Sequence, residues 1–502
     1  MGYFCYTTYV GTRELLAVLS QSTREKLMGN NTRILTKTLN YFSWRWSCEG
    51  GYREFLTVAV PLILATGMWS VQQFLDRMFL TWYSPVAVAA AMPAGMLNFT
   101  LVCVFLGTVT YVDTFVAQYY GAGRNKMIGP TVWQGVYISL VGGLALLAIA
   151  PFSRHIFEFI GHDAAVIENE VVYFKILCLG SFPALAPAAL AGFYAGRGKT
   201  WTLMWVNIAG TIVNIVLDYC LIFGRYRFPE WGIKGAAVAT VISGCFVCII
   251  YLLLISKSAY RNKYRTLKWQ LNWPLLARIV RFGLPNGVNF LVDIAGFTAF
   301  ILIMGTLGTV KLAATNIAFN INTIAFMPML GCGIAVSVLV GQYLGRERPE
   351  TAERSTYSGF HITFFYMALI AVLYVAAPGI FIMPFAANIG TGNFKAIGDL
   401  VAVLLRFVAV YSLFDTMSII FSSAVKGAGD THFVMRMMVA VSLLVLVVPS
   451  YVAVILLHKG LYAGWYIASA YVIALGFAFL ARFLKGKWKT MRVIEPTEPL
   501  PL

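Results

Sequence analysis

One hydrophobic pattern is written twice along this chain, from Pro61 to Arg124 and again from Pro285 to Arg348, at a constant offset of 224 residues (285 − 61 = 224). At that offset Pro61 meets Pro285, Val86 meets Val310, Ala89-Ala90 meets Ala313-Ala314 and Asn98 meets Asn322. Gly107 likewise meets Gly331, Gln118-Tyr119 meets Gln342-Tyr343, and Gly121 and Arg124 meet Gly345 and Arg348. Two copies of one architecture follow, and duplicated membrane halves are the mark of a transporter.

The repeated unit belongs in a bilayer. Of the 502 residues, 59% are hydrophobic and 12% charged, a balance that no soluble domain of this length keeps in solution. Apolar stretches long enough to cross a hydrocarbon core of roughly 30 Å recur throughout, about twelve in all. They cover 54–82, 86–119, 128–152, 170–195, 200–223 and 232–256 in the first half. The second half has 278–308, 310–344, 354–378, 397–424, 432–457 and 460–484. The expected fold is an all-α polytopic membrane protein with twelve transmembrane helices in two pseudo-symmetric six-helix lobes. Its domains are a cytoplasmic amino-terminal segment 1–52, an N-lobe 53–256, a basic linker 257–276, a C-lobe 277–485 and a cytoplasmic tail 486–502. Six is an even number, so the halves share one orientation and are related by an axis along the membrane normal.

The net charge of +17 does not mark a nucleic-acid binder, because the cations are segregated by topology and not gathered on one soluble face. Arg13, Arg24, Lys26, Arg33, Lys37 and Arg45 precede the first span, and Arg124 and Lys126 follow the second. Arg197 and Lys199 follow the fourth span, Lys257, Arg261, Lys263, Arg265 and Lys268 the sixth, and Arg346 and Arg348 the eighth. Lys485, Lys487, Lys489 and Arg492 follow the last, while the third loop is acidic through Glu158, Asp163, Glu168 and Glu170. Positive charge is retained on the cytoplasmic side, which places both termini there, in the plasma (inner) membrane. Residues 1–50 lack the pattern of a secretory leader.

Several familiar motifs carry no chemistry here. Cys245 and Cys248 form a C-x-x-C inside an apolar helix with no second pair, which reads as a reduced core pair. The Gly198-Lys-Thr200 run is not a phosphate loop, because Phe193 stands where its first glycine belongs and no strand precedes it. The five histidines form no ligand pair, and nothing pairs a nucleophile with a base on an exposed loop, so no enzyme is expected.

Acids inside the spans carry the information. A charged side chain near the bilayer centre costs roughly 2.5 to 3.5 kcal/mol on insertion scales, so each needs a partner or a purpose. Asp76, Asp113, Asp218, Asp293 and Asp415 lie in the first, second, fifth, seventh and tenth spans. Asn214 precedes Asp218 by four residues, which puts an amide and a carboxylate on one helix face. Counted from the outer helix ends, Asp76, Asp218 and Thr240 lie about six, five and eight residues deep at about 1.5 Å per residue, hence in one layer. Such a layer of hard oxygen ligands suits a small cation or a proton, and spacing alone equally admits a hydrogen-bonded lock between two helices.

Asp293 and Asp415 have no acidic counterpart: Trp69 stands 224 residues before Asp293, and Phe300 stands 224 after Asp76. The asymmetry suggests an ion in one half and an organic-cation pocket drawing on the other, with pairing to Arg281, Arg406 or Lys175 as the structural alternative. Asp113, in the second span ahead of Arg124 and Lys126, reads as a snorkelling or interfacial acid. A second register offset by 231 aligns Lys175 with Arg406 and Gly196-Arg-Gly198 with Gly427-Ala-Gly429. Pro61 and Pro285 place a kink or hinge early in the first helix of each half, as Pro183 and Pro187 do in the fourth.

Together these residues resemble the multidrug and toxic compound extrusion (MATE) family, in its NorM-type branch. The resemblance is carried by Pro61 with Asp76, Gln118-Tyr-Tyr-Gly-Ala-Gly-Arg124, Gly196-Arg-Gly-Lys-Thr200, Asn214-Ile-Val-Leu-Asp218 and Gly232-Ile-Lys-Gly-Ala-Ala-Val-Ala-Thr240. Pro285 with Asp293 and Asp415 with Gly427-Ala-Gly-Asp-Thr431 extend it, so that it spans about residues 52 to 485. It implies an antiporter of two six-helix lobes that exports small organic cations against inward sodium or protons by alternating access. The cation site it implies is Asp76, Asn214, Asp218 and Thr240, with Asp293 and Asp415 serving substrate and coupling. No cofactor is implied beyond the coupling ion, and no metal beyond sodium at that set. The expected partners are organic cations and membrane lipid, with no nucleic acid, and the expected state is a monomer. The chain departs from the family in Asp293, where Glu is common, and in Thr315-Asn316, where an Ala-His-Gln run is usual. A flippase for lipid-linked precursors, from a related two-lobed fold, is the alternative, and it would require a cationic groove.

Overall fold

The computed structural model describes residues 43–388 and 391–495, and every element among them is helical. Residues 1–42 of the amino-terminal segment and 496–502 of the tail lie outside the described residues. The first half holds α1 (Tyr52–Tyr83), α2 (Pro85–Gly121), α3 (Asn125–Ile160), α5 (Thr200–Phe223) and α6 (Ile233–Ile255). Between α3 and α5, α4 is a pair, Val166–Leu179 and Ser181–Ala195, bent by 41° at Gly180. The second half holds α7 (Trp273–Gly305), α8 (Thr309–Gly345), α9 (Pro349–Ala376), α10 (Ala396–Ala428), α11 (Thr431–Leu456) and α12 (Leu461–Leu484). Each expected span therefore meets a helix, and the fourth is broken instead of continuous. In α11 the winding widens to π-helix over Ser442–Val447 and Val452–Leu456, on either side of Pro449, whose missing N–H breaks the regular ladder.

The lobes meet along repeat-related pairs: α1 packs on α8, and α2 packs on α7. Water does not drive helices together inside lipid, so small residues that admit close backbone contact set where they meet. A Cβ on Gly107 would stand 2.7 Å from the Gly287 Cα. A Cβ on its counterpart Gly331 would stand 2.7 Å from the backbone nitrogen of Ile63, and Ile63 is the repeat mate of Gly287 (287 − 63 = 224).

The reciprocity is tightest at the end that carries the basic loops. Gln118 Nε2 donates to the Gly427 carbonyl at 3.0 Å, and its mate Gln342 Nε2 donates to the Gly196 carbonyl at 2.8 Å. Gly121 lies against the Gln342 backbone and Gly345 against that of Gln118. Sequence registers 224 and 231 thus become one two-fold set of cross-lobe contacts.

The tail crosses this same end. Trp488 is buried, stacked on Phe483 at 4.9 Å, and the Val493 N–H donates to Gln118 Oε1 at 2.8 Å. Glu495 accepts from Tyr119 at 2.8 Å and pairs with Arg278, while its carbonyl accepts from Arg124 at 3.0 Å. Both lobes therefore hold one carboxylate. Burial acts to raise its pKa, but hydrogen bonds from its own backbone, Arg278 and Tyr119, with the Arg278 charge, outweigh that and hold it below the usual carboxylate range. With a depressed folded pKa, its contribution to docking is complete above the unfolded value and fades as pH falls through the folded one. Proteolytic release of the tail is expected to accelerate as pH drops from about 5 to 3, and E495Q is expected to flatten that dependence. Cleavage that stays constant with pH in the wild type would contradict this.

Candidate cation and substrate sites

Packing of α1 along α5 brings Asp76, Asn214 and Asp218 together. Asn214 and Asp218 are both fully buried, one turn apart on α5. The Asn214 amide stands 3.1 Å from Asp76 Oδ1 and 3.2 Å from Asp218 Oδ2, with its nitrogen turned to both carboxyls because the reverse would set oxygen against oxygen. The two carboxyls thus share the Asn214 amide, and Asp218 Oδ1 is buried with no partner among the described residues. Two carboxyls in contact at low dielectric cannot both be bare anions, so a proton or a cation must accompany them.

Thr240, the fourth member expected from the sequence, spends its hydroxyl on the Ala236 carbonyl of its own helix at 3.0 Å. Sequence reasoning passed over two side chains beside the cluster. Gln72, one turn before Asp76, has its amide nitrogen 3.1 Å from the Asn214 amide, and the charges of Asp76 and Asp218 reach Tyr173 on α4. The i, i+4 spacing of Gln72 and Asp76 was readable, whereas nothing distinguished Tyr173 among 26 tyrosines.

The second constellation lies among helices of the second half. Asp293 on α7 and Asp415 on α10 act on one another, and both act on Tyr471 of α12. Tyr411, one turn before Asp415, accepts from Asn322 at 3.4 Å. The cation facing Asp293 is Lys426, whose charge also reaches Asp113 of the other lobe. Arg281, Arg406 and Lys175, weighed from the sequence as partners, are all exposed. The backbone of Asp113 packs under Gly192 of α4 and Gly196 just past its end, and Thr114 donates to its carboxylate at 3.1 Å. Lys426 lies eleven residues, roughly 16 Å, along α10 from Asp415. Asp113, Asp293, Asp415 and Lys426 all remain partly exposed although their helices meet inside the bundle.

Lys426 could have been found from the sequence. Its counterpart in the 231 register is Ala195 (426 − 195 = 231), so the copy breaks there as it does at the acids. The C-x-x-C is no core pair, since Cys245 is exposed and only Cys248 buried. Among the described residues no cluster of three or more metal-binding side chains occurs.

Comparison with known proteins agrees with this architecture. The probable multidrug resistance protein NorM of Bradyrhizobium diazoefficiens is 29% identical over 385 residues, covering 76% of this chain and 81% of that protein. Its namesake from Thermotoga maritima is 25% identical over 446 residues, covering 88% and 94%. Among solved structures, an outward-facing multidrug resistance MATE family transporter of the MOP superfamily superposes with a TM-score of 0.77 at 19% identity, covering 88% of this chain and 96% of that one. A MOP superfamily transporter from Pyrococcus furiosus, described as having a binding pocket of reverse polarity, gives 0.78 at 19% identity over 89% and 98%. The MatE family profile matches residues 61–220 and 285–452, beginning in each half at the repeated proline, and the chain belongs to the MatE family of membrane transporters.

Proposed function

We propose that this chain exports organic cations in exchange for inward sodium or protons, by rocking its two lobes about a central site. The observation that carries the reading is the cluster of half-buried Asp76 with fully buried Asn214 and Asp218, with its unpartnered Asp218 oxygen, in one lobe, while Asp293 and Asp415 lie on helices of the other. Relatives named as multidrug resistance proteins support the substrate class. In this reading the basic end faces the cytoplasm of a plasma (inner) membrane. The reciprocal Gln118 and Gln342 bonds then close that side, leaving the acids to be served from outside.

A cation reaching Asp76 and Asp218 neutralises the pair and favours the helix arrangement that releases the organic cation outward. Coupling follows only because ion and substrate differ in affinity for the two arrangements. At the interface Lys426 is an internal cation set against Asp113 and Asp293, which an entering organic cation must compete with. One lysine among three acids is not the cationic groove that a lipid-linked precursor would need. The test is dye efflux from proteoliposomes with a sodium gradient or a proton gradient imposed alone. One gradient is expected to drive efflux and the other not; efflux indifferent to both would overturn coupled antiport.

A further inference from the structure

The basic linker between the halves is more than a topological marker. From Trp231 to Val292 the chain contains no Asp or Glu, yet it carries Lys257, Arg261, Lys263, Arg265 and Lys268. A short helix, Ser258–Tyr264, turns back under the first lobe and is followed by a turn from Arg265 to Lys268 and an irregular run to α7. The backbone of that run is pinned to α3. Trp133 Nε1 donates to the Thr266 carbonyl at 2.7 Å, the Tyr137 hydroxyl donates to the Trp269 carbonyl, and Gln134 donates to the Gln270 carbonyl at 3.2 Å while accepting from the Asn272 N–H at 3.2 Å. Thr266 closes the set, its hydroxyl bonding the Ile255 carbonyl at 3.0 Å.

With the backbone held on one side, the side chains stand free on the other. Arg261, Asn262, Arg265, Lys268, Trp269 and Gln270 line a shallow cleft of about 390 Å³, open to the surface. Among the described residues none of its three cations makes an ion pair. Beside them Trp269 is 69% exposed and Trp273 68%, with Leu267 and Leu271 exposed as well. The cleft lies between the end of α6 at Ile255 and the start of α7 at Trp273, and so at headgroup depth. Exposed tryptophans at that depth seat in the interface, and unpaired cations beside them attract anionic headgroups.

We propose that this cleft binds the phosphate of an anionic phospholipid, held by Arg261, Arg265 and Lys268, with Trp269 and Leu267 against the glycerol and upper acyl region. The lipid anchors the linker, and with it the joint between the two lobes, to one leaflet. The proposal requires only that the chain spans a membrane, and is independent of its substrate and coupling ion.

Native mass spectrometry of the full-length protein in detergent, titrated with phosphatidylglycerol, phosphatidylcholine or inorganic phosphate, tests it. Phosphatidylglycerol is expected to bind in preference to phosphatidylcholine, weakening about fivefold for each cation removed in the R261Q, R265Q and K268Q series, as about 1 kcal/mol per cation implies. R261K with R265K, which keeps the charge, is expected to retain the preference. Should the triple variant fail to fold, wild-type protein still decides, because the preference must collapse as salt is raised. Equal binding of the two lipids, a salt-independent preference, or a folded triple variant that binds as wild type overturns the proposal. Inorganic phosphate displacing phosphatidylglycerol at equal concentration overturns it too, by making the occupant a free anion.

Discussion

Asp218→Asn is expected to abolish coupled export in a dye-efflux assay while leaving expression and membrane insertion normal. Asp218 is fully buried on α5, shares the Asn214 amide with Asp76, and retains one oxygen with no partner among the described residues. An amide matches it in size but cannot bind and release a proton, and it brings no charge to a cation. Because α1 and α5 are held together by these same groups, the exchange of charge at this point changes how the helices pack. Coupling free energies of about 1 to 3 kcal/mol correspond to roughly 5- to 150-fold effects, so gradient-driven efflux should fall by that order. Asp76→Asn should act in the same direction. Undiminished export at normal expression would sink the assignment, whereas lost export with lost expression would point to a helix lock.

The second large effect is expected from a single methyl group. In Gly121→Ala the new Cβ would stand 2.0 Å from the Gln342 carbonyl oxygen, and in the mate Gly345→Ala it would stand 2.3 Å from that of Gln118. Backbone meets backbone at both places, so no side chain can turn away to make room. Overpacking of this kind costs roughly 1 to 3 kcal/mol. Here the strain is relieved by separating the lobes at the basic end. Spin-label distances between the basic loops of the two halves should therefore lengthen, with the closed population falling about tenfold or more. Gly67→Ala in α1, where a Cβ meets nothing within 4 Å, is the control. Unchanged distances in both glycine variants would show that this end is sealed by something else.

Much of the candidate site was legible because helical geometry is local. Asn214 and Asp218 had to share a face, and Asp76 had to lie at their depth, once the spans and their direction were known. Depth alone, from which Thr240 was expected, does not determine which way a hydroxyl turns, and a threonine inside a helix readily bonds the carbonyl one turn back. Lys426 was overlooked because it stands at a turn, amid glycines, where a cation passes for topology. Tertiary packing folds that turn against the other lobe, within reach of Asp113, and gives it a different setting.

By itself the sequence determined the spans, the two-fold relation between halves, and the positions where that relation fails. Those properties follow from hydropathy and a residue-by-residue register, both of which act along the chain. Only the tertiary structure decided which acid meets which partner, that the repeated glutamines bond across the lobes, and that the tail lies over the joint. Contacts between helices more than a hundred residues apart depend on the side-chain shapes of both partners at once, and no pattern within one segment encodes them.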